Sequence, residues 1–454
     1  MNTINIYISL ALILCFGLSA SAENKGMMFL KGTPQSSTLN PALKLQEGDK
    51  WYLAFPALGS FSASVSTAAF SWNQATYIKD NTLFFDIPSL SKAVKGDNPI
   101  DANMSMQILG FGFKIKEKHY VSFDLNTKVK STTNVPGSIF NLQYGNWDAD
   151  KNTPINHHIQ DLTANAISYV EASLGYSYEL SEKLTVGARV KYIQGAVATQ
   201  TNSMDLYINT NSDGTMSTQQ NISQQIVAPI SVTENADGTI NQISLDSDAN
   251  EILDSTIGKN TGFGFDFGAT YKVTDKLTVG FSMIDLGKIN WKGKTQEIYT
   301  EGSFEYAPID VSDDITGNSD GEKNTQLDEY LDDLKNSFKL RPGSTEAFST
   351  SLFQSTNISA QYELKDWVSL GGLLQFNHLN NTNATLSTTL SPGKALSALF
   401  SYSMRKHDAP SFGAGLMLRG ACFQLYALTD SFTSFTNPGN AKYINLQLGI
   451  NLVF

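Results

Sequence analysis

The sequence predicts an all-β protein, a 14-stranded antiparallel transmembrane β-barrel preceded by a short N-terminal segment. Three observations predict it. Apolar residues recur at every second position in segment after segment, connections alternate between tight turns and long polar stretches, and the chain ends on its most regular strand. That strand, YINLQLGINLVF (443–454), puts Phe454, Leu452, Ile450, Leu448, Leu446 and Ile444 on one face and mostly polar or small residues on the other. A period of two residues marks a strand with one apolar face. In a closed barrel the last strand pairs with the first and needs no turn after it.

Residues 1–22 read as a secretory signal peptide and are set aside from the fold. The apolar run spans Ile6 to Leu18, and Ala20-Ser21-Ala22 supplies the small-x-small cleavage pattern, although no Lys or Arg precedes the run. Leu14 before Cys15 does not suit lipid attachment. Cleavage leaves Cys422 alone, so no intramolecular disulfide forms. The 454-residue chain has a formal net charge of −11, which argues against nucleic acid as a partner. No later run approaches the roughly 18 consecutive apolar residues of a membrane-spanning helix.

Fourteen strands are expected at about 51–67, 102–116, 119–131, 164–180, 184–199, 261–273, 277–288, 352–364, 367–377, 383–391, 395–404, 410–419, 421–430 and 443–454. Turns such as KEK, SEK, TDK and SPGK join them on one side. The other side carries the long stretches 132–163, 200–260 and 289–351. Short periplasmic turns and long outer loops are the asymmetry of an outer-membrane barrel. The segments YELSEKLTVGARVKY (178–192), YKVTDKLTVGFSMID (271–285) and YELKDWVSLGGLLQF (362–376) repeat a strand end, a turn and a strand start. Tyr178, Tyr271 and Tyr362 then belong to an aromatic girdle at the turn side.

Lipid takes the apolar face, because Arg or Lys at the bilayer midplane costs about 2–4 kcal/mol. Asp124, Glu171, Arg189, Lys191, Asp266 and Arg419 are therefore expected in the lumen. The same face is rich in glycine, including Gly112, Gly187, Gly268, Gly280 and Gly449; this reads either as room for something inside or as barrel curvature.

Residues 23–50 precede the barrel (51–454) and contain Asn40-Pro41-Ala42. An Asn-Pro-Ala in a small segment ahead of a fourteen-strand barrel resembles the FadL-type outer-membrane transporters. With DLGKINWKG (285–293) and the terminal YINLQLGINLVF, the chain looks most like an uncharacterised FadL-like barrel family of Bacteroidetes. The resemblance implies a plug that gates at Asn40, Pro41 and Ala42. It also implies passive passage of hydrophobic small molecules, a lateral gap in the wall, and outer-membrane lipid as surroundings. The C-terminal Phe454 resembles the signal read by the barrel-assembly machinery. Read from the residues alone, Asn40-Pro41 is also a plain turn.

A lateral gap needs a broken ladder. In MSMQILGFGFKIK the apolar parity slips between Ile108 and Leu109, so a bulge is expected near Leu109-Gly110. Pro56 lacks an N–H and loosens the seam with the last strand.

No catalytic residues, metal ligands or cofactor are expected, and the chain is read as not an enzyme. The five histidines, His119, His157, His158, His378 and His407, stand beside no nucleophile motif. An EF-hand reading centred on Gly321 fails, since Thr316 opens the loop and Leu327 replaces the closing Glu. A short helix is expected over Thr325–Phe338, with Leu327, Leu331 and Leu334 on its apolar face. The main alternative to transport is a barrel that docks a secreted or surface protein through its outer loops.

Overall fold

The computed structural model describes residues 25–67, 69–80, 82–246, 257–306, 333, 335–377, 382–405 and 408–454. The signal-peptide reading, the EF-hand test, His378, His407 and, of the Thr325–Phe338 helix, residues 325–332 and 334 fall outside them.

Fourteen antiparallel strands close on themselves. In chain order they are β1 (Trp51–Ala54 continued by Phe61–Thr67), β2 (Pro99–Ile115), β3 (His119–Asn134), β4 (Thr163–Glu179), β5 (Leu184–Thr210), β6 (Thr261–Lys272) and β7 (Leu277–Trp291). The second half comprises β8 (Ser355–Lys365), β9 (Val368–Asn377), β10 (Thr382–Leu390), β11 (Leu396–Arg405), β12 (Asp408–Gly420), β13 (Phe423–Thr429) and β14 (Tyr443–Val453). Each pairs with its sequence neighbours, and both halves of β1 pair with β14 as well as β2. Closure satisfies every strand edge, which hydrocarbon surroundings require. The alternation sets the faces: on β14, Asn445, Gln447, Asn451 and Val453 are buried, while Leu448 is exposed on the outer wall.

The seam is fastened at its turn end by the last residue. The Phe454 carbonyl accepts from the amides of Lys50 and Trp51, the Phe454 amide donates to the Trp51 carbonyl at 2.9 Å, and the two rings stack at 3.8 Å. Phe454→Ala is expected to reduce the share of chain recovered as the heat-modifiable barrel on electrophoresis. A share equal to that of the wild type would show that the stacked end contributes nothing to closure.

Two expectations are revised. β1 is not one strand over 51–67 but two, interrupted at 55–60. The stretches 200–260 and 289–351 are not simply loops. β5 continues to Thr210 and pairs with Met216–Val227, which pairs with Thr295–Tyr306, while His157–Gln160 adds to the other edge of β5. A tall sheet therefore stands above the barrel. In MSTQQNISQQIV (216–227) both faces are largely polar, so no apolar period announced the strand. Between β1 and β2 the chain forms the helix Trp72–Ala75, the hairpin Thr76–Lys79/Thr82–Phe85 and the helix Ile87–Ala93. The Asp86 carboxylate caps the last of these by accepting from the Ser89 amide at 3.0 Å.

Candidate functional site: a filled lumen behind an interrupted wall

Residues 25–50 lie inside the barrel and touch its wall all round. Main-chain carbonyls of this segment accept from lumen side chains: Phe29 from Thr389 of β10, Gly32 from Gln424 of β13, Leu39 from Ser282 of β7 and Asn357 of β8, and Ala42 from Ser177 of β4. The segment is short and mostly without regular structure, so its polar backbone needs these partners once buried. Three ion pairs hold it at the turn end: Lys31–Glu363 at 2.8 Å, Lys44–Glu179 at 2.5 Å and the two-pronged Asp49–Arg419. Arg419 thus faces the lumen at the rim rather than deep inside.

Asn40, Pro41 and Ala42 sit where the wall has no side chains. Asn40 Oδ1 accepts from the Ala42 amide at 2.9 Å, making a local turn, and its Nδ2 donates to the carbonyls of Ala269 and Phe281 on β6 and β7. A Cβ at Gly268 would lie 2.0 Å from Asn40 Oδ1, and one at Gly187 would lie 2.2 Å from the Pro41 carbonyl oxygen. These two glycines leave space for the Asn-Pro-Ala turn. The segment forms the plain turn read from its residues, and the wall is shaped around it.

Above the turn lies a layer of charge. The cations Lys128, Lys130, Arg189 and Lys191 face the anions Asp124, Glu171, Asp266 and Asp285, so their formal charges balance. Lys191 is central: its Nζ is 2.7 Å from Asp266, 2.5 Å from Asp285 and 3.8 Å from Glu171. Lys130 of β3 reaches Asp285 of β7 at 3.1 Å, a contact across the lumen. Arg189 lies 3.7 Å from both Asp124 and Asp266 and donates to Ser37 Oγ of the inner segment at 3.1 Å. All these groups are buried except Lys130, which is partly exposed. Toward the long-loop end an apolar cluster of Ile167, Tyr169, Ile193, Ile289, Trp291 and Leu352 covers them.

Five of the expected lumen residues therefore meet in one network. Lys128 and Lys130 share a strand face with Asp124 and were legible by alternation. Asp285 was not, because unbroken alternation from Ser282 puts it toward lipid. A bulge on β7 opposite Phe265–Phe267, with Asp285 at φ 59°, turns both Ile284 and Asp285 inward. Asp tolerates this left-handed backbone better than most residues. A carboxylate at a lipid-facing position was itself the signal that the phase must slip.

The other face of the lumen is apolar. Met27, Met28, Phe29, Leu30 and Leu39 of the inner segment pack on Leu373, Leu399, Met417, Tyr426 and Leu428 of β9 to β13. This surface ends at the wall interruption. Ala54 pairs with Asn451 and Phe61 with Leu448, so Phe55 to Ser60 are extra residues across an interval that β14 spans with Ile450 and Gly449. Phe55, Pro56, Ala57 and Leu58 point outward and are exposed. The excursion stays laced: the Phe55 amide donates to the Ile450 carbonyl at 3.0 Å, and the Ala57 amide to the Ile108 carbonyl at 3.1 Å. On β2 the register shifts between Gln107 and Leu109, next to Gly110. Behind the excursion, Gln35 of the inner segment donates to the Gly59 carbonyl, Gln107 and Asn451, and Tyr426 donates to the same Gly59 carbonyl at 3.1 Å. Pro56 lies in the excursion and Leu109-Gly110 beside the register shift, while Gln35, a residue the sequence did not single out, meets Gly59, Gln107 and Asn451 on the inner side.

A family described as "Family of unknown function (DUF5723)" matches residues 41–430. The chain belongs to this family. The DUF5723 match begins at Pro41 within the turn and runs through the whole charge network. A comparison with curated proteins finds no match. Among solved structures, the DUF5723 chain is similar to the Pseudomonas putida toluene transporter TodX, with 11% identity, 96% of this chain and 98% of that one covered, and a TM-score of 0.43. It is similar to a Pseudomonas aeruginosa FadL homologue at 12% identity, 96% and 98% coverage and a TM-score of 0.43. It is also similar to the Ralstonia pickettii toluene transporter TbuX at 7%, 96% and 94% coverage and a TM-score of 0.33. The barrel architecture of this DUF5723 member rests on its own strand pairing.

Proposed function

We propose that the protein is a plugged barrel of the bacterial outer membrane that passes hydrophobic small molecules passively inward, with the exchange to lipid at the β1 excursion. One observation carries this reading. The apolar lumen surface of Leu373, Leu399, Met417 and Leu428 runs directly to Tyr426 and so to Gly59, where the wall is interrupted. An apolar guest takes the place of Met27 to Leu30 on that surface. The plug then gives way around Asn40 to Ala42, and Gln35 is the polar latch that releases Gly59, Gln107 and Asn451. The gap opens between Pro56 and Leu109-Gly110. The charge layer keeps the rest of the lumen shut to apolar cargo, because a guest there would leave buried charges unpaired. No bond is made or broken and no cofactor takes part.

Uptake of a labelled medium-chain fatty acid or monoaromatic hydrocarbon by cells with and without the protein tests this. Expression is expected to raise uptake, Gln35→Ala to raise it further by weakening the latch, and Leu399→Lys to abolish the gain while leaving the barrel heat-modifiable. Uptake unaffected by expression would overturn the reading. The sheet of 199–210, 216–227 and 295–306 above the membrane favours the second reading, a surface that docks an exported protein. Loss of a co-purifying protein on trimming 289–345, with uptake absent throughout, would favour it.

A further inference from the structure

The hairpin between β1 and β2 is apolar on both of its faces. Tyr77 pairs with Phe84, and the rings stack at 5.5 Å; Ile78 pairs with Leu83 on the opposite face, beside Phe85. Ile78 is 74% and Phe85 64% exposed, and Tyr77, Leu83 and Phe84 are exposed as well. A two-stranded hairpin in water keeps at least one face polar, and is at best marginally stable alone. The surrounding loop does not need these side chains, since Ala75, Leu90 and Val94 pack with Ala69, Phe70 and Phe140 of the β3–β4 connection.

Placement decides what covers the hairpin. Its helix Trp72–Ala75 joins the β13–β14 connection through Asn73 Nδ2, which donates to Asn440 Oδ1 at 3.1 Å, and Lys442 Nζ donates to the Ala69 carbonyl at 2.9 Å. That connection carries exposed Phe432 and Phe435, and Trp72 is exposed beside it. β14 begins at Tyr443 and ends at Val453. At about 3.3 Å per residue and a tilt of about 40°, it rises about 25–28 Å, the height of the apolar band of such barrels. The aromatic residues at its far end therefore stand at the outer interface. The hairpin is tied to the chain at that level, with its charges Lys79 and Asp80 confined to the turn.

We propose that the hairpin Thr76–Phe85 is a membrane-surface anchor, embedded among the acyl chains of the outer leaflet beside the β14–β1 seam. It is a lipid-binding element separate from the lumen, whatever the barrel conducts.

The test uses the full chain with Cys422→Ser, single cysteines at Ile78, Phe85 and Lys79, and a polarity-sensitive label, reconstituted in phosphatidylcholine vesicles with brominated acyl chains. Labels at positions 78 and 85 are expected to be quenched to about the extent of a label at the wall residue Leu416, and the label at 79 much less. Labels at 78 and 85 that escape bromolipid but are quenched by aqueous iodide would overturn the proposal. Labels shielded from both quenchers, with cross-links between copies through these positions, would overturn it in favour of a second chain as the occupant.

Discussion

Replacing Lys191 with methionine is expected to destabilise the folded barrel by about 3–5 kcal/mol, the range found when one member of a buried ion pair is removed. The ammonium contacts Asp266, Asp285 and Glu171 at once and is almost fully buried. Methionine restores most of the volume but leaves those carboxylates with only Lys128, Lys130 and Arg189. Arg419→Met at the rim is expected to cost less, because Arg419 is paired with the single carboxylate of Asp49, whereas Lys191 meets three. Denaturant midpoints of the heat-modifiable form in lipid vesicles measure both. Adding Asp285→Asn to Lys191→Met is expected to recover part of the loss, since one uncompensated anion disappears. A Lys191→Met midpoint no lower than that of Arg419→Met would mean that water reaches the charge layer and screens it.

The second large effect is expected from filling the space beneath the Asn-Pro-Ala turn. Gly268→Ala sets a methyl group 2.0 Å from Asn40 Oδ1, and Gly187→Ala sets one 2.2 Å from the Pro41 carbonyl oxygen. Overpacking of this kind costs about 1–3 kcal/mol, which here falls on the seating of the inner segment rather than on the closed strands. Tryptic cleavage after Lys31 and Lys44, followed by mass spectrometry, is expected to accelerate in both variants. Asn40→Ala is expected to slow cleavage again in the Gly268→Ala background, because the clash is with a side chain. It gives no relief to Gly187→Ala, where the clash is with main chain. Cleavage rates unchanged from the wild type in both variants would show that the segment is already loose.

The barrel was readable because its surroundings leave little choice. A wall with lipid outside must put apolar residues at every second position, and β14 and β5 show the pattern openly. Where the pattern misled, a local event had changed the phase. Asp285 was lost because one extra residue in β7 reverses inside and outside. The first strand was drawn through Pro56 although Phe55 to Ser60 leave the ladder. The strands 216–227 and 295–306 stayed hidden because water, not lipid, meets them and places no demand on alternation. Asn40-Pro41-Ala42 stood out as a motif, but its neighbours Gly187 and Gly268 lie far along the chain and show their purpose only when the wall is folded. Gln35 carries no motif at all; its role comes from meeting β1, β2 and β14 at one point.

That meeting point bears on how the molecule comes to exist. Gln35 and Asn451 lie 416 residues apart in the chain, yet their amides bond to each other at the seam where first and last strands join. Contacts between chain ends are the slowest to find, since the whole loop between them must be ordered first. The leading segment is also enclosed by the wall it precedes, so its seating and the closing of the seam are coupled through Gln35. A seated Gln35 adds hydrogen bonds to β14 at the join, so a filled interior stabilises the closed seam. An empty cylinder would lack the hydrogen bonds that Gln35 makes to Gly59, Gln107 and Asn451 at its own seam.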